Sequence, residues 1–142
     1  MRSPVLPKIV GWILLAGLIL LDAFLDVIFA QGRGLENFLW KPIASFLGVT
    51  NPLLLTLLVL LIFFVCVKVS AFLTEKFDHT PKAEELVLTI FILVYGIFDV
   101  WLISVYLFDF RVITNHFQLI PLLIIIGIVY GWWAENILRK KK

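Results

Sequence analysis

Four long apolar stretches, separated by short polar segments, dominate the pattern along the chain. They cover residues 9–30, 52–73, 83–108 and 115–138. Each is long enough to cross the hydrocarbon of a bilayer, which needs roughly 20 apolar residues in a helix. Pro52 and Pro81 suit helix starts, and Glu84 and Glu85 suit a first turn facing the positive end of the helix dipole. The pattern predicts an all-α membrane protein with one domain, a four-transmembrane-helix bundle.

The connection between the first two stretches is too long for a tight turn and is not uniformly polar. Its apolar residues recur at helical spacing: Leu35, Phe38, Leu39, Ile43, Phe46 and Leu47. Pro42 interrupts the pattern, and Gly32 and Gly34 allow the chain to turn before it. The connection is therefore predicted to form one or two short amphipathic helices over about residues 35–49, lying on the outer membrane surface.

Composition agrees with a lipid environment. Of the 142 residues, 62% are hydrophobic and 15% are charged, and the mean hydropathy is +1.06. Soluble domains are roughly half apolar and about a quarter charged, so many apolar side chains here should face lipid. The net charge of +2 gives no reason to expect nucleic acid as a partner. A single cysteine, Cys66, excludes an internal disulfide and the cysteine-pair chemistry of quinone-linked disulfide-forming enzymes.

Lysine and arginine are distributed unevenly across the predicted membrane, and this asymmetry predicts the orientation. Four spans put both termini and the middle connection on one side. Nine basic residues belong to that side: Arg2, Lys8, Lys68, Lys76, Lys82, Arg139, Lys140, Lys141 and Lys142. Three belong to the other side: Arg33, Lys41 and Arg111. We expect a multi-pass protein of the cell membrane with both termini in the cytoplasm. Lys68 should extend its ammonium to the inner headgroups, and Trp12 should anchor at the same interface.

The two halves of the chain share a short pattern. Ile-Leu at 19–20 followed by Asp-Val at 26–27 recurs as Ile-Leu at 92–93 and Asp-Val at 99–100. Each half would be a helical hairpin with an aspartate in the outer half of its first helix. The hairpins would point the same way, and the hypothesis is therefore a parallel repeat.

Three aspartates interrupt the apolar stretches. Asp22 and Asp26 are one turn apart, so their carboxyls project from one face of the first helix, and Asp99 is at a similar depth in the third. His116 begins the fourth helix from the same side. An acid at the centre of a span costs about 2.5–3.5 kcal/mol on insertion scales. We therefore expect the acids to face the interior, where they converge on one site in the outer half of the bundle.

Three interpretations of this site remain open. In the structural one, the acids hydrogen-bond to neighbouring helices or pair with Arg33 and Arg111. The protein is then a structural or accessory subunit of a membrane assembly, and the sequence favours this. In the first alternative, the acids and His116 bind a proton or cation in a channel or transporter. In the second, they bind a divalent metal in a membrane enzyme. The sequence specifies no cofactor, and the glycine-rich and glutamate motifs of small fluoride channels and small multidrug transporters are missing.

Two glycines four residues apart, Gly127 and Gly131, expose a flat backbone groove on the fourth helix. The groove predicts close helix packing, either within the chain or between copies. Because so small a bundle has little interior, we expect a homo-oligomer or membership of a larger membrane complex within the lipid bilayer.

Overall fold

The computed structural model describes residues 3–29, 40–110, 112–113 and 116–140, without the side chain of His116. The helices in this part are α1 Lys8–Phe29, α2 Lys41–Leu47, α3 Pro52–Asp78, α4 Ala83–Phe108 and α5 His116–Lys140. All but α2 are long and apolar enough to cross a membrane. The predicted all-α fold with four membrane-spanning helices is confirmed.

Local signals explain where α3 begins and where α4 begins. The Asn51 side chain accepts a hydrogen bond from the Leu53 backbone N–H at 2.9 Å, capping α3, and Pro52 supplies a first helical residue that lacks an N–H. At the other end of α3, His79 adopts a left-handed conformation and stops the helix. The turn to α4 is short, and the first turn of α4 carries two glutamates. Helix α3 continues five residues beyond the predicted limit of 73, because its last polar turn extends past the apolar stretch.

The connection between α1 and α3 contains the short helix α2. It lies within the predicted amphipathic segment and ends at Gly48, whose φ of 66° is a conformation that glycine adopts without strain. Ala44 of α2 is buried in the main hydrophobic core, so the helix is attached to the bundle. Residues 31–39 lie outside the described part, and the first half of the predicted segment therefore stays a prediction.

Helix α4 is the central element of the bundle. It packs against α1, α3 and α5, while α1 also packs against α3. The main core lies where α1, α3 and α4 meet, around Leu15, Val67 and Leu88. A Cβ on Gly11 of α1 would lie 3.2 Å from Cβ of Leu88, so the glycine allows α1 and α4 to approach closely. Helix α5 is held mainly by α4.

Both ends of the described chain lie at one end of the bundle. The Tyr130 hydroxyl of α5 donates to the Pro4 carbonyl, and the Leu6 N–H donates to Thr89 of α4. In the α3–α4 turn, the Thr80 hydroxyl donates to Glu135 near the end of α5. We call this the terminal end, defined by residues 3–8, 76–85 and 134–140, and we call the opposite end the far end. The parallel repeat of hairpins stays a prediction.

The outer surface of the bundle is largely apolar. Large apolar side chains are exposed on all four long helices, for example Phe24, Leu57, Val100 and Ile128. Exposing such a surface to water would be unfavourable. In a bilayer these side chains contact lipid tails, which are as apolar as they are. The chain is a multi-pass membrane protein.

Candidate functional site

Two polar side chains meet between α1 and α4 in the far half of the bundle. The hydroxyl of Tyr95 donates a hydrogen bond of 2.9 Å to Oδ2 of Asp22. The Tyr95 ring is held edge-on by Phe63 of α3 at 5.3 Å and by Phe98 at 5.9 Å between ring centroids. The three helices of the core therefore fix the phenol that binds Asp22.

Asp99 lies one helical turn beyond Tyr95 on α4 and is 2% exposed. Within the described part of the chain, neither of its carboxylate oxygens has a hydrogen-bond partner. The carboxyls of Asp99 and Asp22 are close enough to interact electrostatically. At a rise of 1.5 Å per residue, Asp99 is about 24 Å from the start of α4 and about 14 Å from its end. A buried carboxyl without a partner therefore lies well inside the span.

The remaining predicted acid, Asp26, is half-buried one turn beyond Asp22 toward the far end. It interacts electrostatically with Asp22 and with Tyr106, whose ring stacks on Phe29 at 5.6 Å between centroids. Together, the acids and the two phenols form a polar strip along the α1–α4 interface. The predicted site residue His116 is the first residue of α5.

Several sequence-predicted partners of the acids lie outside the described part. They are the side chains of His116, Arg33 and Arg111. Among the described side chains, no three His, Cys, Asp or Glu residues are grouped so that they could hold a metal ion. Tyr95 was not a predicted site residue, although its position four residues before Asp99 puts both on one face of α4.

A second polar cluster ties α1, α3 and α4 together at the terminal end. Glu84, in the first turn of α4, accepts from Lys8 Nζ at 2.7 Å and from Lys68 Nζ at 2.7 Å. The indole N–H of Trp12 donates to the same carboxylate at 3.0 Å. Lys68 was predicted to extend to the headgroups, and Trp12 was predicted to anchor at the membrane surface. Both bind Glu84, because the approach of α3 and α1 to α4 brings a carboxylate within their reach. Their positions at the membrane interface stay predictions.

The predicted packing glycines lie between α4 and α5. A Cβ on Gly127 would lie 3.3 Å from Cγ2 of Val94, and one on Gly131 would lie 3.0 Å from Cδ1 of Ile90. Beside them, an open apolar cleft of about 580 Å³ runs along the α4–α5 interface. Its lining contains none of the three aspartates.

These features define a multi-pass helical membrane protein with acidic side chains embedded between its spans. Comparison with known protein families, curated proteins and solved structures found no match for this chain. A functional proposal therefore depends on the chemistry of its own side chains.

Proposed function

We propose that this protein handles protons across a membrane, taking up a proton at a site formed by Asp22, Tyr95 and Asp99. The observation that carries the proposal is the Asp99 carboxyl, which is 2% exposed and has no hydrogen-bond partner within the described residues. Asp22 supports it, because a second acid lies near enough to repel a charge on Asp99.

The free-energy cost of burying a charge favours a neutral site. An isolated ionised carboxylate in a low-dielectric interior is so costly that the group takes up a proton instead. A proton neutralises Asp99 without further ligands, whereas hard cations such as Ca²⁺ take about six to eight oxygen ligands. Uptake of a proton is therefore our first expectation, and uptake of a metal cation is an outcome that the experiment below distinguishes.

The neighbouring groups supply a route for exchange with the far side. The Tyr95 hydroxyl can donate and accept a hydrogen bond, and it already donates to Asp22. Asp26 lies one turn further on, about 6 Å along the helix axis at 1.5 Å per residue. Protons would pass between these groups and the aqueous phase at the far end.

Proton uptake by reconstituted vesicles tests this function. An imposed pH gradient and a potassium diffusion potential should drive proton entry into vesicles that contain the unmodified protein. Asp99→Asn should abolish this uptake, whereas Asp78→Asn, at the exposed end of α3, should leave it unchanged. Infrared difference spectra should also contain a protonated carboxyl band that disappears in Asp99→Asn. Flux equal to that of empty vesicles would reject proton transport, and flux dependent on sodium or potassium would assign the site to a cation.

A second candidate is a structural or accessory subunit, either as a homo-oligomer or in a larger membrane complex. The supporting observation is the open apolar cleft of about 580 Å³ between α4 and α5, in a bundle whose fifth helix packs mainly on one neighbour. Purification from the native membrane in mild detergent, followed by native mass spectrometry, should then give a stoichiometric assembly. A strictly monomeric mass would count against this role.

We also propose that the protein lies in the cell membrane with the terminal end in the cytoplasm. Nine basic residues on that side against three on the other support this orientation. In a Cys66→Ala background, an impermeant maleimide should label Ser45→Cys on intact cells. It should label Glu75→Cys only after permeabilisation. The opposite pattern would reverse the orientation.

A further inference from the structure

We propose that the protein binds an anionic phospholipid at the terminal end of the α1–α3 interface, with the phosphate against Lys8 and Lys68 and an acyl chain in the adjoining cleft. The two lysines lie toward the opposite end of the bundle from Asp22 and Asp99, while the cleft extends to Phe63, which also packs against Tyr95. Lipid binding at the lysines does not require proton uptake at Asp99.

The cleft between α1 and α3 provides the apolar half of the site. It has a volume of about 180 Å³ and is lined by apolar and aromatic side chains, among them Trp12, Ala16, Leu60 and Phe64. At roughly 30 Å³ per water molecule, this volume equals about six waters and suits a segment of one acyl chain. Burial of methylene groups in such a cleft is favoured by close contact with the aromatic rings.

Two lysines lie at the mouth of this cleft. The Lys68 ammonium lies over the rings of Trp12 and Phe64, at 5.7 and 5.8 Å from their centroids, and both rings line the cleft. Lys8 meets Lys68 on the shared carboxylate of Glu84. The cationic group and the apolar cleft are therefore parts of one continuous surface.

The charges of this cluster leave it able to accept an anion. Two ammonium groups share the Glu84 carboxylate, and Glu85 also interacts electrostatically with Lys8, so Lys68 is the lysine with the smaller share of negative charge around it. The side chains of Lys8 and Lys68 are 51% and 41% exposed, respectively, whereas that of Glu84 is 17% exposed. Each ammonium has three N–H donors, and those not directed at Glu84 can bind phosphate oxygens.

A net anionic lipid fits these charges better than a zwitterionic one. A phosphatidylcholine headgroup brings its own cation near two lysines, which reduces the attraction. Phosphatidylglycerol brings only the phosphate charge. Lysines near a membrane surface each favour anionic lipid, and we expect about a tenfold preference for phosphatidylglycerol because Glu84 and Glu85 offset part of the attraction.

Native mass spectrometry of the detergent-purified protein with the two lipids measures this preference. Lys68→Gln should reduce the preference to about twofold or less, and Lys68→Arg should retain it because the positive charge remains. The matched control is Lys76→Gln. The Lys76 ammonium also lies over two aromatic rings of α3, those of Phe72 and Phe77, at 5.6 and 5.9 Å.

The cleft itself is tested by filling it. Ala16→Phe should displace the acyl chain and lower phosphatidylglycerol binding at least tenfold, while leaving any binding of soluble glycerol phosphate unchanged. Unchanged lipid preference in both Lys68→Gln and Ala16→Phe would overturn the proposal. Equal loss in Lys76→Gln would also overturn it, because general surface charge would then explain the preference. Competition by glycerol phosphate as strong as by the lipid would reject the role of the acyl chain.

Discussion

The hydrogen bond between Tyr95 and Asp22 can be removed with little change in packing. Tyr95→Phe deletes the hydroxyl that donates to Asp22 at 2.9 Å. The ring itself contacts Phe63 and Phe98 through its edges and faces, and phenylalanine preserves those contacts. The substitution therefore isolates the polar interaction between α1 and α4.

The expected loss of stability follows from the surroundings of Asp22. Leaving a buried polar group without its partner costs about 1–3 kcal/mol. Double-mutant cycles on hydrogen bonds inside membranes give a smaller average of about 0.6 kcal/mol and a maximum of about 1.7. Asp22 is only half-buried and keeps some access to other partners. We therefore expect Tyr95→Phe to lower the free energy of unfolding by about 1 kcal/mol, which is roughly a fivefold change in the equilibrium constant.

Unfolding by SDS in mixed micelles, followed by tryptophan fluorescence, measures this free energy. The double-mutant cycle uses Tyr95→Phe, Asp22→Leu and their combination, and it should give a coupling energy of about 1 kcal/mol. The control is Ser104→Ala, which removes a hydroxyl that donates within α4 to the Val100 carbonyl at 2.8 Å. A coupling energy below about 0.3 kcal/mol, the usual error of additivity, would refute the interaction.

Two further substitutions test the packing of α4. Glu84→Gln should lower the free energy of unfolding by about 1–2 kcal/mol, because it removes the charge shared by two lysines. The loss should be smaller at high salt because the lysines are partly exposed. A loss independent of salt would contradict the ionic explanation. Gly127→Val should cost about 1–3 kcal/mol by forcing α5 away from Val94. The same change at Gly17, where a Cβ would meet nothing within 4 Å, is the control, and equal losses at the two glycines would show that the close approach of α5 does not matter.

The spans could be predicted from the sequence because hydropathy reports directly on contact with lipid. The starts of α3 and α4 agree with the prediction, since Asn51-Pro52 and the short polar turn before Glu84 are local signals. The end of α3 was less predictable. Hydropathy marks where the apolar stretch ends, whereas the helix continues through the polar residues Glu75 and Lys76.

The contacts between helices were harder to predict from the sequence than the positions of the spans. A role for Glu84 in the first turn of its own helix could be predicted from the sequence, but its partners Lys8 and Trp12 are more than 70 positions away in the chain. Their pairing depends on how α1 and α4 are rotated about their axes, and an apolar helix in lipid carries little information on rotation because all its faces are hydrophobic. For the same reason the hydrogen bond between Tyr95 and Asp22 could not be predicted, because it depends on which faces of α1 and α4 meet.

The central position of α4 has a consequence for how the chain is built into the membrane. Helices α1 and α3 enter first, and until α4 follows, Lys8 and Lys68 have no carboxylate and the core residues of α1 and α3 lack most of their packing partners. The hairpin of α1 and α3 is thus an incomplete intermediate within the bilayer. A chain that stops before residue 83 lacks all of these α4 contacts, so it should be less stable in the membrane than the full bundle.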